Sequence, residues 1–184
     1  MTESSPTEEK RSDEELWDAF VGGDDAALRA LMGRYRDELF WYLLLSTGNQ
    51  QKAAQYLVEV WEVVARHRGA WEGFDSFRSW LYAVATQNSV PATHPEPMGL
   101  SDLIGDLKRH APSSGIGEVF YRVADMRRPF RQPFLLTTVG GLSLAETAKA
   151  CNFSRKRTIA CLEKAYRVMA GSPAFPATEG RDEL

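Results

Sequence analysis

Cysteine and histidine are scarce in this 184-residue chain, and their scarcity removes whole classes of chemistry. The cysteines are Cys151 and Cys161, and the three histidines, His67, His94 and His110, are scattered. No cluster with zinc-ligand spacing can be assembled from them, and the two thiols read as small apolar side chains for a core. A glycine-rich phosphate loop and a nucleophile elbow are also missing. No metal, cofactor or catalytic residue is therefore assigned, and the chain is not read as an enzyme. No apolar run is long enough to cross a membrane, and the opening "MTESSPTEEKRS" lacks the apolar core of a secretory signal. A cytoplasmic protein without a membrane partner is the expectation.

What is present is the balance of a globular protein, 43% hydrophobic and 26% charged. The formal net charge is −3, but it is unevenly distributed. Residues 1–25 hold nine acids against Lys10 and Arg11, whereas residues 127–167 hold nine bases against Glu146 and Glu163. The extreme is "FSRKRTIACLEKAYR", with five bases and one acid, in a chain that is otherwise acidic. An acidic front and a basic back point to two modules with different partners.

The front half carries helical periodicity. Leu28, Leu31, Met32, Tyr35, Leu39, Tyr42 and Leu43 repeat at 3.6 residues from Asp24 to near Gly48. A second helix is expected from about Gln50, with Ala54, Leu57, Val58, Trp61, Val64 and Ala65 on its inner face. A third should start near Ser76 and stop before Pro91, and a shorter one should run through Leu16, Trp17 and Phe20. All five tryptophans lie here and are read mostly as core. The following "VPATHPEPMGLSDLIGDLKRHAPSSGIG" has four prolines and four glycines, so it reads as a linker with at most a helical turn over Leu103 to Lys108. Helical character resumes at Glu118. The expected architecture is all-α: an acidic tail over 1–12, a helical domain over 13–90, a linker over 91–117, a second helical domain over 118–171 and a tail over 172–184.

"GLSLAETAKACNFSRKRTIACLEKAYR" has the grammar of a helix-turn-helix. Ser143 and Glu146 form a capping box, Asn152 suits the left-handed residue ending the first helix, and Ser154 can cap the second. In the second helix Thr158, Cys161, Leu162, Ala165 and Met169 share one side. Lys156, Ala160, Glu163 and Arg167 share the other, flanked by Arg155, Arg157 and Lys164. Arg155, Lys156 and Arg157 stand in the first turn, where the helix dipole makes each cation cost about 0.3–1 kcal/mol. Cations placed there suit phosphate and base-edge contacts in a major groove. Glu163 can pair with Arg167 at i, i+4 or accept a hydrogen bond from cytosine.

The order of these features resembles the extracytoplasmic-function (ECF) sigma factors of bacterial RNA polymerase. The likeness rests on "YRDELFWYLLLSTGN", "AAQYLVEVW" and "SFRSWLYAVA" in the front half and on "FLLTTVGGLSLAETAKACNFS" with Leu162 and Ala165 in the back half. It implies a sigma region 2-like bundle and a region 4-like helix-turn-helix. The implied partners are core RNA polymerase, promoter DNA and an anti-sigma factor. The implied polymerase surface is Gln55, Val58, Glu59 and Glu62, and the implied contacts with melted promoter are Arg78, Trp80, Tyr82, Gln87 and Asn88. Reading of the upstream element falls to Arg155, Lys156, Arg157, Ala160, Glu163, Lys164 and Arg167.

The chain also departs from the family pattern. Gln55 stands where an acid is usual and Val58 where Gln is usual, and no Lys or Arg occurs from Ser79 to Met98. Single-stranded DNA binding normally combines stacking aromatics with a cationic groove. Two further readings therefore stand beside a working sigma factor. One is a sigma-like regulator without promoter melting, acting as an anti-sigma decoy or accessory regulator. The other is a plain helix-turn-helix regulator.

Overall fold

The structure, a computed structural model, describes residues 11–67, 69, 71, 73–89, 122–123 and 126–171. The expected linker, its helical turn, the restart at Glu118 and the C-terminal tail lie wholly or mostly outside the described residues, as does the side chain of Asn88. Every regular element among the described residues is a helix.

Local sequence sets the helix ends. Helix α1 (Asp13–Val21) begins at a capping box in which Ser12 and Glu15 satisfy each other's backbone N–H groups. Helix α2 (Asp25–Thr47) is capped by Asp24 and stops at Gly48, whose φ of 65° is the left-handed conformation glycine adopts without strain. Asn49 then caps α3 (Gln50–Arg66), so two residues turn the chain back on itself. Asp13 accepts hydrogen bonds from Arg34 and Tyr35 and ties α1 to α2. Helix α4 (Phe77–Ser89) closes this group. Trp17 lies at its centre, with ring centroids 5.4 Å from Phe20, 5.5 Å from Phe77 and 5.2 Å from Trp80.

The inner face of α3 is displaced from its expected position. Ala53, Val60, Trp61 and Val64 are buried, while Ala54 is exposed and Val58 is 59% exposed. Two adjoining apolar stripes run along this helix, and both satisfy the helical period. Neighbouring helices cover the stripe through Ala53, Val60 and Val64.

The back half comprises α5 (Arg128–Thr138), α6 (Leu144–Ala150) and α7 (Arg155–Met169). Pro133 lies inside α5, which begins at Arg128 with Pro129 in its first turn. Its missing N–H leaves the Pro129 carbonyl without its usual i+4 donor.

The two halves share one apolar cluster rather than keeping separate cores in this conformation. Helix α5 packs on α2, and α6 packs on α4. This explains two segments that are apolar all round. The end of α2 buries Tyr42, Leu43, Leu44, Ser46 and Thr47, and α4 is buried from Ser79 to Thr86. Polar groups fix the junction. Arg131, 2% exposed, donates to the Met126 carbonyl at 2.7 and 3.1 Å and reaches the Ser46 carbonyl at 3.5 Å, in the last turn of α2. Such last-turn carbonyls lack intrahelical donors. Gly140 lies so close to α4 that a Cβ there would stand 3.2 Å from Tyr82 Cε1 and 2.7 Å from the Leu136 carbonyl oxygen.

Candidate nucleic-acid interface

The helix-turn-helix forms as its residues dictate. Ser143 Oγ accepts from the Glu146 N–H at 3.3 Å, and Glu146 accepts from the Ser143 N–H at 2.9 Å. Burial pushes the Glu146 carboxyl up, but hydrogen bonds from Ser143, Ser76 and Ser79 outweigh it and hold the group below its ordinary range. Asn152 takes φ 54°, and Ser154 Oγ accepts from the Arg157 N–H at 3.2 Å to open α7.

On α7, Thr158, Cys161 and Ala165 are buried and Leu162 and Met169 half-buried, as the 3.6-residue period requires. Arg155, Lys156, Arg157, Ala160, Glu163, Lys164 and Arg167 are all exposed, and no acid stands in the first turn. The cations differ in freedom. The Arg157 guanidinium lies 4.0 Å from the centroid of Phe153 and the Lys164 ammonium 5.2 Å from Phe130, so both are held at the flanks. Among the described residues, Glu163 and Arg167 form no ion pair with each other. Their charges remain directed outward. Burial pushes the Cys151 thiol up to about 12 and raises Cys161 as well, so both stay protonated and inert at neutral pH.

The α4 residues are placed otherwise. Trp80 is 7% exposed and Tyr82 fully buried, so neither has a ring face open to a base. Arg78 forms a bidentate pair with Glu38 at 2.7–2.9 Å and donates to the Gly140 carbonyl at 3.2 Å. Its guanidinium also lies over the Tyr35 and Tyr82 rings. These three belong to the core and the junction between the halves in this conformation. Gln87 is exposed.

On α3, Gln55 donates to Glu59 at 2.7 Å and Glu62 pairs with Arg66 at 2.9 Å. Val58 lies to one side of them and is exposed. Beside these residues α2 and α3 leave a groove of about 580 Å³ lined by Leu28, Met32, Leu57, Val58 and Trp61, with Arg29 and Arg36 at one side. The sequence pointed to it through the second apolar stripe of α3 and through Leu28 and Met32 of α2, all of which read as core.

No protein-family profile matches the chain, and no curated protein matches it. Solved structures do match. CnrH, an ECF sigma factor seen in complex with the cytosolic domain of CnrY, superposes with a TM-score of 0.60. The fold is sigma-like. The match covers 86% of this chain and 95% of CnrH at 17% sequence identity, which establishes the architecture and not the activity. Within this sigma-like fold, α6 and α7 are the helix-turn-helix and α1–α4 the front bundle. Among the described residues no group of His, Cys, Asp and Glu could hold a metal ion, and no helix is long and apolar enough to cross a membrane.

Proposed function

We propose that the protein is a divergent ECF-type sigma factor, which binds core RNA polymerase and directs initiation at a small set of promoters. The observation that carries this reading is the bare cationic face of α7 in a sigma-like fold, with three cations in a first turn where they weaken the helix. Phosphates offset that cost. Arg155, Lys156 and Arg157 position the helix on the backbone, and Lys156, Ala160, Glu163 and Arg167 face the base edges of the upstream element, flanked by Lys164. The front bundle meets polymerase through Gln55, Val58, Glu59 and Glu62, and the protein works in the cytoplasm as a regulator rather than an enzyme. An anti-sigma factor fits as a partner, since CnrH is held by the anti-sigma CnrY.

A second reading has its own support. With Trp80 and Tyr82 buried and Arg78 engaged, the front bundle offers few groups to a melted strand. A sigma-like regulator that has lost melting, serving as an anti-sigma decoy or accessory factor, fits those facts. Transcription in vitro with purified core polymerase on genomic promoter fragments separates the two. Specific transcripts are the result expected of a sigma factor. Binding to core enzyme without transcripts would favour the regulator, and neither binding nor transcripts would remove the sigma reading.

A further inference from the structure

Ile159 lies toward the outward side of α7, and among the described residues no apolar partner packs on it there. It is 40% exposed and takes no part in the apolar cluster. Tyr166, the other large apolar residue exposed on this helix, is accounted for by its edge-on contact with Phe134 at 5.6 Å. At about 100° per residue, Ile159 lies roughly 40° from Glu163 on one side of the outward line, and Ala160 lies roughly 40° from Lys156 on the other. Two apolar side chains thus flank the acid and the base that point straight out.

Their surroundings restrict what can cover them. Arg155, Lys156, Arg157, Lys164 and Arg167 ring the patch, so an apolar partner must itself be embedded in negative charge. The major groove supplies such a partner. The thymine 5-methyl group is the apolar feature of its base edges, and phosphates border it on both sides. Helix α7 also contains no Asn or Gln, the residues that pair bidentately with adenine. Discrimination of A·T pairs by this helix then falls to contact with the methyl group on the thymine.

We propose that Ile159, together with Ala160, reads thymine methyl groups beside the positions faced by Lys156 and Glu163. Ile159 is then a specificity-determining residue. The inference rests on the reading that α7 binds duplex DNA. Any apolar contact needs the helix seated in the groove, and the first-turn cations provide that seating.

The test begins with duplexes selected from a random pool by the full-length protein. Each thymine is then replaced in turn by 2′-deoxyuridine, which removes only the methyl group. At one or two positions the wild-type protein should bind about fourfold more weakly, the value of one buried methyl group. Ile159→Ser should bind the thymine and deoxyuridine duplexes alike, and Ile159→Val should keep part of the difference. Wild-type indifference to every methyl group would overturn the inference, as would undiminished discrimination by Ile159→Ser. Either result leaves DNA reading by α7 intact provided that binding still weakens with salt. Absence of any salt-dependent duplex binding would overturn that reading and the inference together. If Ile159→Ser changed nothing on duplexes but abolished co-elution with core polymerase, the patch would belong to a protein interface and the inference would fall.

Discussion

Helices α4 and α7 are close in length, and each carries side chains of the kind that hold nucleic acid, but they meet their surroundings in opposite ways. In α4 nine of the ten residues from Phe77 to Thr86 are buried, against α1–α3 on one side and α6 on the other. In α7 three of fifteen are buried, and one side of the helix is bare. Aromatic side chains on a helix that is apolar all round must be covered on every side, and here the protein's own back half does the covering. Cations on a helix with a single apolar stripe have nowhere to go but outward. In this pair of helices, charge set against the helix dipole marks the face left exposed, whereas the aromatics mark the face that is covered.

The largest effect expected from this contrast is on stability. Trp80→Ala should cost about 3–5 kcal/mol, because the ring packs on Trp17, Phe77 and His67. Denaturant unfolding would measure it, and an unchanged midpoint would mean that the ring is not core. Gly140→Ala probes the cover over α4. Its new methyl group would press on the Leu136 carbonyl and on Tyr82, so a loss of about 1–3 kcal/mol is expected in the same assay. A neutral outcome would show that the halves pack less closely there than the structure has them.

Smaller effects sharpen the picture at α6. Glu146→Gln should cost about 1 kcal/mol, since the amide keeps part of the capping box but loses the charge. The carboxyl is held below its ordinary range, so its contribution is complete above the unfolded value of about 4.3 and is lost as pH falls through the lower folded value. The difference between wild type and variant should shrink on acidification below pH ~4. A difference that grew there would reverse the assignment.

Helix ends were the most legible feature of the sequence. The caps Ser143 and Ser154, the left-handed Asn152, the limits of α2 near Asp24 and Gly48, and the faces of α7 all follow from local chemistry. The expected fold class, all-α, is the one found among the described residues. What a single sequence hides is the choice among equally good apolar surfaces. Helix α3 carries two stripes of the same period, and only packing against its neighbours selects one. Arg131 reads from the sequence as one base among nine and is instead buried at the junction, where backbone carbonyls accept its donors. Arg78 looked like the one cation available to a DNA strand on α4, but Glu38, forty residues earlier in the chain, engages it. Such pairings depend on distant segments, and no local pattern announces them.

The central claim is that α7 holds duplex DNA through its first-turn cations, whereas α4 is interior. It is tested most directly by the salt dependence of duplex binding for the wild-type protein and for Arg155→Ala, Lys156→Ala and Arg157→Ala combined. The variant should fold with stability unchanged or raised by up to about 3 kcal/mol, since three cations that each cost about 0.3–1 kcal/mol against the helix dipole are gone. Its log–log salt slope should be shallower by about 0.9 for each phosphate that is no longer neutralised, close to three units if all three cations meet phosphates in the wild type. A well-folded variant whose slope equals that of the wild type would contradict the assignment of α7 as the DNA-reading helix.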